Sequence, residues 1–199
     1  MTPDVYVVST GTANVASVMA GLRRAGGNPI RTADPAIVRS ARRMVVPGVG
    51  AFAAAMDLFR SGGLAEALKE RTEQGKPLLA ICLGLQLLAD SSEESPGVAG
   101  IGAIQRPVVR LAATRRLPQL GWIEIEPAIG SRLLSRSHAY FANSFCLRDC
   151  DGSWRIAHAD NGGRFIAAIE RDAQLACQFH PELSGAWGVQ LMARWLLAC

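Results

Sequence analysis

The sequence predicts an α/β fold: an open, mostly parallel, flavodoxin-like sheet with helices on both faces and additional antiparallel strands in the C-terminal half. In the first half, short β-branched runs alternate with amphipathic stretches, as a parallel sheet with crossover helices requires. The run at 77–81 is almost entirely apolar, which indicates a strand covered on both faces. From Val98 onward, turn signals separate short strand-like runs. We expect one domain, 1–199, because a chain of 199 residues that is 49% hydrophobic can bury one sizeable core.

The predicted elements alternate between strand and helix in the first half and are mainly strands in the second. In the first half, strands are expected at 5–8, 28–32, 44–46 and 77–81, and helices at 13–25, 52–60, 64–73 and 83–89. In the second half, strands are expected at 108–111, 122–125, 139–145, 155–159, 165–170 and 175–179, with a turn at Arg171-Asp172 and a closing helix at 186–197. Several strands would then end along one edge of the sheet, where open α/β sheets bind their ligands.

The composition argues against several classes of protein. Five cysteines at irregular spacing argue against a secreted disulfide framework, and neither they nor the three histidines stand at zinc-like spacing. The net charge of +4 is mild, and no aromatic-studded basic stripe supports nucleic-acid binding. No apolar stretch reaches the roughly 18 residues that span a bilayer, and the first residues lack a signal-peptide pattern. We therefore expect a cytoplasmic protein with no metal site, no nucleic-acid partner and no membrane association.

Cys82 stands where the strand at 77–81 should turn into a helix. Ala80 and Gly84 lie two residues to either side of it, which is the small-x-nucleophile-x-Gly pattern of a tight strand-to-helix elbow. The amides at the start of the helix would favour a thiolate. A cysteine in an apolar run is more often an inert core residue, so the catalytic interpretation needs the flanking pattern and a partner base.

A thiolate nucleophile requires a proton acceptor, and the acceptor requires an orienting group. His180 ends a strand-like run, Pro181 stops further pairing, and Glu182 is near enough in sequence to reach the same imidazole through a turn. Two further histidines lie in or directly beside predicted strands and are interpreted as structural: His138 and His158. His-Pro-Glu alone is a weak motif, but together with Cys82 it predicts a triad of Cys82, His180 and Glu182.

The turn Pro47-Gly48-Val49-Gly50 follows another predicted strand at the same edge of the sheet. Acyl transfer needs donors aimed at the developing oxyanion, and the amides of such a glycine turn would serve. A tight strand-to-helix connection explains the turn equally well. The segment Gly11-Thr12-Ala13, at a further strand end, is neither a P-loop nor a full dinucleotide fingerprint, so it predicts no nucleotide site.

These residues resemble the class I (triad-type) glutamine amidotransferases, which show the order Cys82, His180, Glu182. Within the class, the segments most similar to the glutaminase subunits of histidine biosynthesis are 47–52, 82–98 and 116–122, and the similarity spans almost the whole chain. The resemblance implies hydrolysis of L-glutamine to glutamate and ammonia without a metal or cofactor. It also implies a heterodimer, in which the ammonia passes to a separate (β/α)8 cyclase subunit.

The resemblance further implies a role for each residue of the site. Cys82 would attack the side-chain amide carbon to form a thioester, His180 would transfer protons, and Glu182 would hold the imidazole. The oxyanion hole would be formed by backbone amides at Gly48, Val49, Gly50 and Leu83. The substrate would be bound by Gln86, Glu94 and Ser144.

Three segments depart from the usual pattern of these subunits. Where they show Phe-Val-His-Ser-Tyr, this chain has Phe-Ala-Asn-Ser-Phe, so Asn143 replaces a histidine. The usual lysine after His-Pro-Glu is Leu183, and the early Asp-Tyr-Gly-x-Gly-Asn appears as the segment 9–14. None of these departures touches the triad; they concern how the cyclase docks and how it stimulates the glutaminase.

Three other functions stay open on the sequence alone. One is an amidotransferase that serves another acceptor, such as a nucleotide, anthranilate or sugar-pathway synthase; such domains are often fused to the synthase, whereas this chain ends right after its closing helix. Another is a cysteine peptidase or deglycase on a similar sheet, against which the pair Gln86 and Glu94 favours glutamine as substrate. The last is a scaffolding relative without activity, against which the intact triad argues.

Overall fold

The computed structural model describes residues 2–9, 14–112 and 116–199. Its strands are β1 (Asp4–Val8), β2 (Asn28–Thr32), β3 (Met44–Gly48), β4 (Leu78–Cys82), β5 (Ala89–Ser92), β6 (Ile104–Arg110), β7 (Gln119–Ile125), β8 (Ser137–Asn143), β9 (Phe145–Leu147), β10 (Arg155–Asp160), β11 (Arg164–Arg171) and β12 (Gln174–Cys177). Its helices are α1 (Val15–Arg24), α2 (Pro35–Ser40), α3 (Phe52–Ser61), α4 (Leu64–Glu73), α5 (Leu83–Leu87) and α6 (Gly185–Ala198), and a 3-10 turn (Pro181–Leu183) precedes α6. Within these described ranges, no helix is long and apolar enough to cross a membrane.

The main sheet contains seven strands in the order β10-β11-β12-β4-β3-β1-β2. From β12 to β2 the strands run parallel, while β11 and β10 are added antiparallel at one edge. The predicted mostly parallel sheet with antiparallel strands from the C-terminal half is therefore confirmed. Because β4 pairs with both β3 and β12, the carboxyl ends of these three strands lie side by side.

The central strand β4 contributes side chains to two apolar cores, one on each face of the sheet. Leu79 and Ile81 belong to the core that includes α1 and α6. Leu78 and Ala80 belong to the core that includes α3 and α4. All of these side chains are buried, because successive residues of a strand point to opposite faces and helices cover both. The expectation of a strand buried on both faces is confirmed.

Two elements near the site differ from the prediction. The helix predicted at 83–89 ends at Leu87, because the chain then enters β5 and pairs with β6 in a second sheet of order β5-β6-β9. The strand predicted at 139–145 is divided at Ser144 into β8 and β9, which belong to different sheets. In both places, pairing with distant strands overrides the local pattern.

Two further differences concern local turn chemistry. The sequence analysis missed α2, although Asp34 caps it by accepting a hydrogen bond from the Ala36 amide (2.8 Å) and proline occupies its first turn. The hairpin turn lies at Asp172-Ala173, one residue later than predicted, and Asp172 has a φ of +51°. The predicted start of the first helix at Ala13 and the segment Gly11-Thr12 lie outside the described residues.

Strands β7 and β8 form a separate antiparallel ribbon beside the edge where β12 ends. The His180 amide donates to the Tyr140 carbonyl (2.9 Å), and the Tyr140 amide donates to Ser184 Oγ (3.0 Å). The ribbon is thus hydrogen-bonded to the segment that carries the predicted base. A movement of the ribbon would be transmitted directly to this segment.

We expect the substitution Gly84→Ala to destabilise the fold. A Cβ atom at position 84 would overlap the backbone carbonyl of Val46 on β3, which cannot move aside without disturbing the central sheet. The free energy of unfolding, measured by urea denaturation, should fall by about 3 kcal/mol. Gly152→Ala is the matched control, because nothing lies within 4 Å of a Cβ there, and it should change stability by less than about 0.5 kcal/mol. Equal stability of the two variants would contradict the close contact at the elbow.

Candidate active site

The predicted elbow is present at the junction of β4 and α5. Cys82 is the last residue of β4, and α5 begins at the next residue with no intervening loop. The φ and ψ angles of Cys82 are +53° and −109°, a conformation that residues other than glycine rarely adopt. This strained backbone is held by the packing on both faces of β4. Cys82 is only 8% exposed, and its sulfur lines a cavity instead of facing bulk solvent.

The cavity at this edge has a volume of about 370 Å³. Most of the predicted site residues lie on its wall, namely Cys82, His180, Val49, Gly50, Leu83, Gln86, Glu94 and Ser144. The remaining lining residues are Pro118, Ala142, Asn143 and Phe145. The nucleophile and base, which are far apart in sequence, therefore meet in one enclosed space of a size suited to a small molecule.

His180 is fixed by backbone and side-chain hydrogen bonds. Its Nδ1 lies 2.9 Å from Oε1 of Glu182, and both side chains are buried. Ser184 Oγ donates to the His180 carbonyl at 2.7 Å, which closes the turn that contains Pro181. With Nδ1 engaged by Glu182, the Nε2 atom is the one left for the sulfur of Cys82. The other carboxylate oxygen, Oε2 of Glu182, is buried and has no partner among the described residues.

The pKa of His180 is raised to about 10. Burial of the ring is the largest influence and acts in the opposite direction, but hydrogen bonds and charge interactions with Cys82 and Glu182 outweigh it. The imidazolium therefore persists at neutral pH between the sulfur of Cys82 on one side and the carboxylate of Glu182 on the other. This arrangement suits a thiolate nucleophile, because the proton shared with the sulfur is held on the imidazole.

The glycine turn after β3 divides into two parts. Val49 and Gly50 line the cavity, and Gly50 has a φ of +103°, which a side chain would disfavour. Gly48 does not line the same cavity; a Cβ there would meet the Leu83 Cβ and the Gly84 amide nitrogen at 2.7 Å. Gly48 therefore acts through packing, by allowing β3 to approach the elbow. Val49 and Gly50 are the positions whose amides can face a substrate.

The predicted substrate-binding residues all line the cavity, but the side chains of two of them also form hydrogen bonds with other groups of the protein. Glu94 Oε2 accepts a hydrogen bond from the Phe52 amide at the start of α3 (3.0 Å). Gln86 Nε2 donates to the Phe145 carbonyl and to Gln178 Oε1, each at 3.0 Å. Their remaining oxygen atoms are available to a ligand in the cavity. Ser144 lies in the break between β8 and β9, directly on the cavity wall.

Sequence analysis missed Gln178, which is fully buried and donates from Nε2 to the sulfur of Cys82 at 3.5 Å. Its position two residues before His180 was an available signal, because alternate residues of an extended segment share a face. Of the other histidines, His158 Nδ1 lies 3.1 Å from an Arg164 guanidinium nitrogen. This contact and burial lower the pKa of His158, in agreement with a structural role.

The other cysteines are not placed to act as nucleophiles. Burial raises the pKa of Cys146 to about 11 and that of Cys150 to about 12, and it also raises the pKa of Cys177 well above its ordinary value. Burial likewise raises the pKa of Cys199 to about 11, despite nearby arginines. Within the described ranges, no group of three or more His, Cys, Asp and Glu side chains is arranged to hold a metal ion.

Comparisons with known proteins agree with this geometry. The family model described as glutamine amidotransferase class-I matches residues 28–198. The imidazole glycerol phosphate synthase subunit HisH of Yersinia pseudotuberculosis is 40% identical over 198 residues, covering 97% of this chain and 98% of the relative. The chloroplastic imidazole glycerol phosphate synthase hisHF of Arabidopsis thaliana is 39% identical over 96% of this chain, which matches 34% of that longer protein. A crystal structure of a glutamine amidotransferase shares the fold, with a TM-score of 0.78 over 98% of both chains at 22% identity.

We expect Cys82→Ala to lower the pKa of His180. In the wild-type protein the imidazole should stay protonated through neutral pH and titrate near pH 10. Removing the sulfur removes a hydrogen bond and a negative charge that favour the imidazolium, whereas burial still disfavours it. The measurement is an NMR titration of the histidine ring nitrogens, with His158 as the internal control. An unchanged His180 titration in Cys82→Ala would contradict the contact between sulfur and imidazole.

Proposed function

The chain belongs to the class I glutamine amidotransferases, and we propose that it is the glutaminase subunit of an imidazole glycerol phosphate synthase. It hydrolyses L-glutamine to glutamate and ammonia for histidine biosynthesis. The observation that carries this proposal is the meeting of Cys82 and His180 in one cavity, with Glu182 bonded to the far side of the imidazole. The similarity to HisH over nearly the whole chain supports the histidine pathway over a different ammonia acceptor. We further propose that residues 1–199 form one domain that works in the cytoplasm.

The first half of the reaction forms a thioester. The thiolate of Cys82 attacks the side-chain amide carbon of glutamine, and the carbonyl oxygen becomes an oxyanion. The His180 imidazolium then gives its proton to the amide nitrogen, the carbon–nitrogen bond breaks, and ammonia leaves. The products of this half are the glutamyl thioester and a neutral His180.

The second half hydrolyses the thioester. His180, now neutral, takes a proton from a water molecule that attacks the thioester carbon. The carbon–sulfur bond breaks, glutamate forms, and the thiolate of Cys82 returns beside the imidazolium. Glu182 holds the ring through Nδ1 in both halves and stabilises the imidazolium whenever it forms.

The oxyanion and the substrate are bound by the cavity wall. Val49, Gly50 and Leu83 line the cavity together with Cys82, and their backbone amides are the proposed donors to the oxyanion. The free oxygens of Gln86 and Glu94 suit the amino group of glutamine, and Ser144 supplies a further polar contact. We propose that the reacting carbon lies at the elbow and that the cavity opens past Ala142, which lines it from the ribbon β7–β8.

The partner is a (β/α)8 cyclase subunit that docks on the outer face of the ribbon β7–β8 and forms a heterodimer. This face carries large exposed apolar side chains, including Leu120 and Trp122, which are 68% and 55% exposed. Trp122 packs edge-on against Tyr140, and the same face continues to Ala142 at the cavity. A partner on this face would cover the opening and receive ammonia without its passing through bulk water. Leu183, also exposed, lies beside this face after the catalytic histidine.

Of the substitutions noted in the sequence, Leu183 lies at this contact and Asn143 does not. Leu183 removes a cation from the rim and leaves an apolar contact in its place. Asn143 is buried and bonded within the chain: it accepts from Gln119 Nε2 at 2.6 Å and donates to the Phe145 carbonyl at 2.9 Å. Asn143 therefore connects the ribbon to the cavity wall instead of facing the partner.

We expect Cys82→Ala to abolish ammonia release from glutamine while leaving cyclase binding unchanged. The methyl group of alanine cannot form the thioester, but position 82 is buried and does not reach the outer face of the ribbon. Ammonia is measured by a coupled dehydrogenase assay and binding by titration calorimetry. Ser91→Ala, away from the cavity, is the control and should keep full activity. Undiminished ammonia release by Cys82→Ala would remove the nucleophile assignment.

We also expect the glutaminase to have low activity alone and to be strongly stimulated by the cyclase with its ligand bound. Ammonia released without an acceptor would be wasted. The hydrogen bond between the Tyr140 carbonyl and the His180 amide would transmit a movement of the docked ribbon to the active site. The measurement is glutamine hydrolysis with and without the cyclase. The rate should be at least several-fold higher with the cyclase, and equal rates would refute the gating.

A further inference from the structure

Gln178 occupies a position at the site that the triad alone does not explain. It follows β12, it is fully buried, and its Nε2 lies 3.5 Å from the sulfur of Cys82. Its backbone amide donates to the Ala167 carbonyl at 2.8 Å, so the main chain is fixed as well as the side chain. A buried glutamine whose donor points at the nucleophile is a candidate for setting the state of that nucleophile.

The orientation of the Gln178 amide follows from a backbone carbonyl. The Phe145 carbonyl can only accept hydrogen bonds, so Gln86 must present Nε2 to it, at 3.0 Å. The same nitrogen lies 3.0 Å from Gln178, which must therefore present Oε1 to Gln86. Only one orientation of Gln178 remains, and it directs Nε2 towards Cys82. A flipped amide would bring two donors together at Gln86 and an oxygen atom against the sulfur.

The chain of amides continues beyond the cavity. Asn143 donates to the same Phe145 carbonyl at 2.9 Å, and Gln119 at the start of β7 donates to Asn143 at 2.6 Å. Every amide that fixes the donor at Cys82 is therefore anchored on the break between β8 and β9 or on the ribbon. Two series of donors meet at the Phe145 carbonyl: Asn143 donates to it from the ribbon side and Gln86 from α5. From Gln86 the donors run through Gln178 to the sulfur of Cys82.

We propose that Gln178 is a positioning residue for the glutaminase: its Nε2, oriented by Gln86, donates to the sulfur of Cys82 and favours the thiolate aimed into the cavity. This inference rests on the proposed function for its role in glutamine hydrolysis. A hydrogen bond donated to a charged acceptor favours the charged form and fixes its direction. Gln178 does not contact the substrate, because it does not line the cavity.

The test is the pH dependence of Cys82 alkylation by iodoacetamide, followed by mass spectrometry of the peptide that contains Cys82. Gln178→Met removes the donor, conserves volume and adds no charge. The alkylation midpoint should rise by about one pH unit. The titratable groups that face the sulfur are unchanged in this variant: His180 and Glu182 after β12, Cys177 on β12, and Glu94 on the cavity wall. The other cysteines stay protonated in the range tested, because burial raises the pKa of each.

Gln174→Met is the matched control. Gln174 begins β12, whereas Gln178 follows it, and both are buried, but Gln174 donates to the Thr72 and Lys76 carbonyls at the other end of the strand. Its substitution should lower stability and leave the alkylation midpoint at the wild-type value. If Gln178→Met behaves like Gln174→Met, the proposal is wrong.

A second variant, Gln86→Met, keeps Gln178 but removes the group that orients it. The alkylation midpoint should rise, but by less than in Gln178→Met, because the Gln178 amide can then turn. A midpoint equal to that of the wild-type protein would overturn the orientation argument. In the complex with cyclase, Gln178→Met should lower kcat more than it raises KM for glutamine. Alkylation needs neither substrate nor partner, so it tests Gln178 even if the wild-type complex proves unable to hydrolyse glutamine.

Discussion

The close contact between the end of β3 and the elbow at Cys82 is the constraint on which the site depends. Gly84 packs against the Val46 carbonyl, and Gly48 packs against Leu83, so the two strand ends meet with no side chain between them. This contact places the glycine turn beside the nucleophile. It also forces Cys82 into a φ of +53°, which the two cores on either side of β4 sustain. The nucleophile is thus held by a strand that is buried at every position.

Burial determines the electrostatics of the triad. A lone imidazole enclosed as deeply as His180 would lose its proton more readily, but here a thiol and a carboxylate flank the ring, and their attraction is strong in a medium of low polarity. Removing either neighbour would leave a buried charge without compensation. The Gln178 amide compensates the sulfur in the same way. A buried thiolate is stabilised by a hydrogen-bond donor, just as the buried imidazolium is stabilised by acceptors.

The local pattern predicted several elements at or near their observed bounds. The strand 28–32 and the helix 64–73 were predicted at their observed bounds, and β4 differs from its prediction by one residue at each end. The prediction failed where pairing with distant strands decides the conformation, as at β5 and at the division of β8 from β9 at Ser144. The helix α2 is a different kind of failure, because its Asp-Pro start was present in the sequence and was not used.

For the site, the sequence by itself determined which groups are available: a nucleophile in an elbow pattern, a histidine followed by a glutamate, and a glycine turn. It could not determine that these groups face one cavity, because Cys82 ends β4 and His180 follows β12, and the pairing of these two strands brings the residues together. The sequence also could not show that Gly48 is needed for packing or which way the Gln178 amide points. Both depend on contacts with residues remote in the chain. The type of a residue limits the chemistry that it can perform, whereas its hydrogen-bond partners, burial and direction arise only when the chain is packed in three dimensions.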